Sequence, residues 1–297
     1  MDIHIILVIP LAVLGLVFGS FAGAQVWRLR ARQLVEDKAM GEEYDKKEYA
    51  KLNSLQKKSL TDDRSRCLSC HHKLAWYDLV PIVSWLSTKG RCRYCKKLIG
   101  YFEPLMEIGV ATFFVLSFIF WPIELTTAAE IIRFTIWLIS GVMLAILFAY
   151  DAKWFLLPDR IVFPLIGLSI VFAALGLIGV SDVVPALISV AGAVLILSGL
   201  YLFIWVISKG KWIGFGDVKL GVALGLLLGQ WELAFLALFL ANFIGCLIVI
   251  PGLATKKLSR TTQIPFGPML IGGFLLAALF GTPLISWYLS VTSTLML

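Results

Sequence analysis

Two aspartates and four cysteines are the residues of this chain whose types and spacing are suited to chemistry. Asp217 stands in Gly214-Phe215-Gly216-Asp217-Val218-Lys219-Leu220, between two long apolar runs. A carboxylate at a membrane boundary is costly, so its presence there points to function. The glycines at 214 and 216 let the backbone turn sharply and admit a second segment at close range. Asp151, in Ala149-Tyr150-Asp151-Ala152-Lys153, ends another apolar run and is the natural partner; pairing with Lys153 or Arg160 is the plainer alternative. Two neighbouring carboxylates cannot both ionise easily, so they share a proton, one acting as base on water and the other as acid. Such a pair hydrolyses peptides without a nucleophilic serine. A third acid, Asp159, follows Pro158 at the start of the next apolar run, where Asp is a favoured helix N-cap.

Cys67-Leu68-Ser69-Cys70 and Cys92-Arg93-Tyr94-Cys95 are two C-x-x-C knuckles separated by 21 residues. Each knuckle presents two thiolates, and two knuckles close one tetrahedral Zn²⁺ site. Arg66, Arg91, Arg93 and Lys96 favour the thiolate forms. Redox pairs and disulfides are the competing readings. A cytoplasmic location disfavours structural disulfides, and no thioredoxin-like βαβ pattern surrounds either pair. His71 and His72 are available as substitute ligands, although four cysteines suffice. Cys246 lies in an apolar run and reads as packing.

The elements that must position these groups are membrane helices. With 59% hydrophobic and 15% charged residues in 297, the chain lies far from soluble globular composition. Its apolar runs are about twenty residues long, the length that crosses a hydrocarbon core. They predict an all-α polytopic protein with eight spans, at about 3–27, 105–121, 131–150, 161–180, 184–207, 218–229, 232–253 and 264–290. The sixth is short, and Gly229-Gln230-Trp231 separates it from the seventh. Three regions follow: a first transmembrane helix over 1–27, a polar cytoplasmic region over 28–103 with the cysteines, and a seven-helix membrane domain over 104–297 with both aspartates. Within the polar region, 33–63 mixes charges of both signs and reads as a solvated helix or linker.

Charge fixes the expected orientation. The region 28–103 carries 17 of the 26 Lys and Arg. With eight spans and both termini outside, Lys153, Arg160, Lys209, Lys211, Lys219, Lys256, Lys257 and Arg260 join it in the cytoplasm, leaving only Arg133 outside. Asp2, Glu124, Glu130, Asp182 and Glu232 fall on the outer side. A cleavable leader is the competing reading of the first run, since Ala22-Gly23-Ala24 resembles a cleavage site. It lacks a basic n-region, however, and Arg28, Arg30 and Arg32 follow it directly. The net charge of +7 reflects this orientation rather than a nucleic-acid partner.

Ordered motifs along the whole chain resemble the type IV prepilin leader peptidases, membrane aspartic proteases of the GxGD type. They are Gly19-Ser20-Phe21 with Arg28; Ser65-Arg66-Cys67 to Cys70; Pro81-Ile82-Val83-Ser84-Trp85-Leu86; Gly90-Arg91-Cys92-Arg93-Tyr94-Cys95; Pro104-Leu105-Met106-Glu107; Asp151 with Leu157-Pro158-Asp159; Gly214 to Lys219; and Ile264-Pro265-Phe266-Gly267-Pro268. The resemblance implies that Asp151 and Asp217 are the catalytic pair and that Asp159 is not. It implies prepilin and pseudopilin substrates, cut after a Gly that ends a short basic leader, at the cytoplasmic face of a bacterial inner membrane. It also implies N-methylation of the new N-terminus from S-adenosylmethionine, associated with the cysteine-containing region. Ala22-Gly23-Ala24, Phe102-Glu103 and the long segment 33–63 depart from the family pattern, and all three lie in or beside that half, so a peptidase alone is one alternative. A GxGD protease acting on ordinary signal peptides shares the dyad but leaves the four cysteines unexplained. A proton-coupled transporter using the boundary carboxylates is the alternative of another class. Neither the residues that hold S-adenosylmethionine nor the oligomeric state follows from the sequence.

Overall fold

The computed structural model describes residues 3–55, 64–122, 125–256 and 263–295. Asp2, Glu124, Lys257, Arg260 and the part of 33–63 from 56 onward therefore lie outside the described residues. The described chain is helical, with two isolated β-bridges and no strand. It divides into two compact units, Met1–Phe118 and Ile119–Leu297.

In the first unit, α1 (Ile3–Met40) runs without a break well past the expected end of the first span. Its polar half is ordered by packing. Ala31 and Leu34 are fully buried against Leu52 of α2 (Lys46–Leu52), with Trp27, Tyr44, Tyr49 and Leu68 around them. Arg30 adds an ion pair to Glu48 at 2.7 Å. The membrane half of α1 meets α4 (Phe102–Ile119) backbone to backbone. A Cβ on Gly15 or Gly19 would lie 2.5 Å from the Cα of Ala111 or Glu107, so only glycine allows this approach. Between them, the short α3 (Val83–Ser87) follows Ile82, a β-branched residue at φ 59°. That conformation is strained. The buried Glu107 carboxylate holds it by accepting from the Ile82 N–H at 2.7 Å.

The second unit contains α5 (Ala128–Trp154), α6 (Asp159–Gly176), α7 (Val183–Val194), α8 (Leu200–Ser208), α9 (Phe215–Leu228), α10 (Trp231–Ala254) and α11 (Gly267–Leu295). Five residues of π-helix, Leu195–Gly199, join α7 to α8, so that Val183–Ser208 forms one membrane-length element. Among the described residues seven helices are long and apolar enough to cross a membrane. The remaining predicted span, the short sixth one, is present as α9, which at 14 residues rises only about 21 Å and does not reach across alone. Gly229, at φ 67°, caps its end and separates it from α10 as the sequence suggested. Instead of facing lipid, α9 is enclosed. Leu220, Ala223 and Leu224 are fully buried, and Gly221 and Gly225 seat its backbone on Leu197 and Val194. The Ser198 hydroxyl donates to the Val218 carbonyl at 2.9 Å, fastening the π segment to the first turn of α9.

Candidate active site and metal centre

Three separate stretches of the second unit converge on the aspartates. Asp151 lies in the last turn of α5, which closes when the Phe155 N–H donates to the Asp151 carbonyl at 2.9 Å. Phe155 itself takes the left-handed conformation at φ 57°, unusual for a bulky residue, and so ends the helix just beyond the acid. The Asp151 side chain is only 5% exposed. Its Oδ2 accepts from the backbone N–H of Gly267, the first residue of α11, at 3.0 Å. A Cβ at Gly267 would stand 2.7 Å from that oxygen, so glycine is required where α11 meets the acid.

Asp217 lies in the first turn of α9, with Gly214 as the N-cap residue just before it. Leu157, in the turn after α5, presses on Gly216, where a Cβ would come within 3.0 Å of its side chain. The Gly-x-Gly-Asp and Leu-Pro-Asp stretches are thus opposite sides of one contact. It brings the end of α5 to the start of α9, and the two carboxylates lie within electrostatic reach of each other. Two acids that share one proton can activate water and protonate a carbonyl oxygen.

Asp159 is placed differently from the N-cap role expected of it. Pro158 occupies the cap position and Asp159 is the first helical residue. It pairs instead with Lys219, one turn along α9, tying α6 to the helix of Asp217. Nor does Asp151 pair with Lys153 or Arg160; it uses the Gly267 amide. That partner belongs to the Ile264-Pro265-Phe266-Gly267-Pro268 stretch. Sequence pattern singled this stretch out without giving it a role.

In the first unit the four cysteines form one cluster, their sulfurs all within 4.8 Å of one another. Both knuckles fold alike. Cys67 N–H donates to the His72 carbonyl at 3.1 Å and Cys92 N–H to that of Lys97 at 2.8 Å, with His71 and Lys96 each at positive φ. Four thiolates at about 2.3 Å from a central Zn²⁺ would stand roughly 3.8 Å apart; the Cys67 and Cys95 sulfurs are 3.9 Å apart. The donor set and its geometry fit the metal. Burial pushes the Cys67 thiol up to about 12. At Cys92 burial acts the same way, but the Cys95 and Tyr94 amides outweigh it and bring the thiol down to about 7. His71 bonds Ser54 at 2.9 Å and His72 stacks on Tyr94, so neither joins the cluster. Asp78 braces the second knuckle, accepting from Arg93 Nε at 2.9 Å and the Tyr94 hydroxyl at 3.0 Å.

Comparison with known proteins decides the family. The bacterial peptidase A24 N-terminal domain matches residues 13–121, and the type IV leader peptidase family matches residues 138–250. The prepilin leader peptidase/N-methyltransferase of Aeromonas salmonicida strain A449 is 30% identical over 275 residues, covering 93% of this chain and 91% of its own. This chain belongs to the type IV leader peptidase family. The like-named proteins of Pseudomonas aeruginosa (29%, covering 93% of this chain and 91% of its own) and Bacillus subtilis strain 168 (31%, covering 78% and 88%) are similar to it as well. No solved structure matches. The two matched regions of the leader peptidase pattern correspond to the two compact units, cysteine cluster in one and aspartates in the other.

Proposed function

We propose that this leader peptidase cleaves prepilins and pseudopilins with Asp151 and Asp217 as its catalytic pair. The observation that supports this most is that α5 and α9 bring the two acids within electrostatic reach of each other, with Asp151 held by the Gly267 amide. One aspartate, ionised, takes a proton from water as the water oxygen adds to the scissile carbonyl carbon. The other donates its proton toward the carbonyl oxygen, where charge develops. When the C–N bond breaks, the departing amine takes the proton that water had given, a hydroxyl of the diol returns its proton to the other aspartate as the new carboxyl group forms, and the pair is back in its one-proton state. Asp159 has no part in this; its ion pair with Lys219 holds two helices in register.

The positive-inside pattern supports a dyad at the cytoplasmic face of a bacterial inner membrane, with 28–103 in the cytoplasm and both termini outside. There a basic leader would be cut after its terminal Gly. Cys67, Cys70, Cys92 and Cys95 would hold one structural Zn²⁺. The names of the relatives carry a second activity, and we extend it to this chain as N-methylation of the new N-terminus, with S-adenosylmethionine as the methyl donor. The test is cleavage of a synthetic prepilin by purified protein in detergent, with and without labelled S-adenosylmethionine. Cleavage by wild type and none by Asp151→Asn or Asp217→Asn supports the dyad. Undiminished cutting by either variant removes it, and absence of label from the product removes the methyl transfer.

A further inference from the structure

We propose that Tyr201 is a third catalytic group of the site, its hydroxyl donating a hydrogen bond to the carbonyl oxygen of the peptide bond under attack. The inference rests on the protease reading above. Tyr201 belongs to α8, two residues beyond the π segment. A π turn inserts a residue and so rotates everything after it by about 100° relative to a continuous α-helix. Here the segment is fixed to the Asp217 helix, by Ser198 bonding Val218 and by Gly221 seated on Leu197. From the other side, the Tyr201 ring packs edge-on against Phe266 at 5.2 Å, next to the glycine whose amide holds Asp151. Tyr201 is therefore gripped between the structures that position the two acids, and it lies within the electrostatic field of Asp217.

The hydroxyl is the unusual part. Tyr201 is 3% exposed, yet its oxygen makes no hydrogen bond of acceptable geometry. Asn242 of α10 lies beside it and has a second amide N–H to offer besides the one donated to the Leu238 carbonyl at 2.8 Å, but that contact uses the Tyr201 oxygen as acceptor and leaves the hydroxyl proton unplaced. A buried donor left unsatisfied is costly and demands an account. Were the hydroxyl there to orient Asp217, it would bond that carboxylate; it does not. A donor beside the dyad but not bonded to it is suited to an acceptor that arrives with the substrate. The substrate atom that gains negative charge during attack is the carbonyl oxygen, and preorganised donors there lower the barrier. In that step the carbonyl π electrons move onto oxygen as the water oxygen adds to carbon. The water proton goes to the basic aspartate, the acidic aspartate serves as proton donor, and Tyr201 keeps its own proton throughout.

Tyr201→Phe keeps the ring on Phe266 and removes only the hydroxyl, which separates chemistry from packing. Purified full-length protein in detergent would be given a synthetic prepilin with a basic leader ending in Gly, alongside Asp217→Asn. The expected result is a kcat about 100-fold lower in Tyr201→Phe, in the range seen when one such donor is removed. KM should change by less than about threefold and the thermal midpoint should not fall, since a buried unpaired hydroxyl has been deleted. A kcat within about twofold of wild type overturns the proposal, as does a change confined to KM or a loss that tracks loss of folded protein. If wild type cuts and Asp217→Asn does not, those outcomes count against Tyr201 alone. Active Asp217→Asn, or inert wild type, overturns the protease reading and this one with it.

Discussion

Gly267→Ala puts the geometry of the dyad to its sharpest test, because it adds one methyl group and changes no charge. The new Cβ would lie 2.7 Å from Asp151 Oδ2, 3.2 Å from its Cγ and 3.4 Å from its Cβ, where ordinary contact begins at 3.4 Å. The carboxylate or the start of α11 must then retreat by about 0.7 Å, because close-packed surroundings offer no slack. Misplacement of a reacting group by about 1 Å costs on the order of 100-fold in rate. Overpacking of this kind costs about 1–3 kcal/mol of stability. The expected outcome is a kcat lowered by about 30- to 100-fold with KM nearly unchanged, measured on a synthetic prepilin in detergent. Gly272→Ala on the same helix is the control: its Cβ would meet only the Ile244 Cδ1 at 3.5 Å, and it should behave as wild type. If Gly267→Ala is fully active, the Asp151–Gly267 contact does not position the acid and the reasoning fails.

Asp159→Asn should leave cleavage within a few-fold of wild type and cost under about 1 kcal/mol, since its ion pair with Lys219 is half-exposed; complete loss in a folded protein would mean that the wrong acids have been paired. Metal analysis should find about one zinc per chain, abolished in Cys67→Ser with Cys92→Ser, and zinc retained in the double variant would refute the tetrahedral site. Burial opposes the Asp78 carboxylate, but Arg93, the Ala75 amide and Tyr94 outweigh it and hold the acid below the usual carboxylate range. A lowered folded value contributes stability above the unfolded pKa that is lost as pH falls through the folded one. Hydrogen exchange over 76–95 should therefore quicken only below about pH 4, and Asp78→Asn should exchange quickly already at neutral pH. Single cysteines at Asp182 and Trp231 should be labelled from outside the cell; protection of Asp182 from outside would break the proposed topology.

What could be seen in the sequence was what stands out against an apolar background. Asp151 and Asp217 are conspicuous because charge is rare in these runs, and the two knuckles because thiol spacing is short-range. Helix positions followed from run length, and the break at Gly229 from a residue able to adopt positive φ. The rest depended on contacts that spacing does not encode. Gly267 reaches Asp151 across 116 residues. Tyr201 in an apolar run looks like any packing aromatic until the π turn and its unsatisfied oxygen are seen. Asp159 was assigned the local role that composition favours, an N-cap, and a distant cation won it instead. Likewise α1 continues beyond its apolar half because α2 buries Leu34, a partnership invisible in hydropathy.

The bond between Asp151 and Gly267 also bears on when the protein becomes active. Chains are made and inserted from the N-terminus, and each segment can pack only against what has already emerged. Both aspartates are synthesised before Gly267, so a nascent chain carries two acids before the amide that seats one of them has packed. On the proposed mechanism, α11 is thus the helix that assembles the site. On the proposed mechanism, a protease that lies among the transmembrane segments of other proteins in the same bilayer stays inert until α11 has packed.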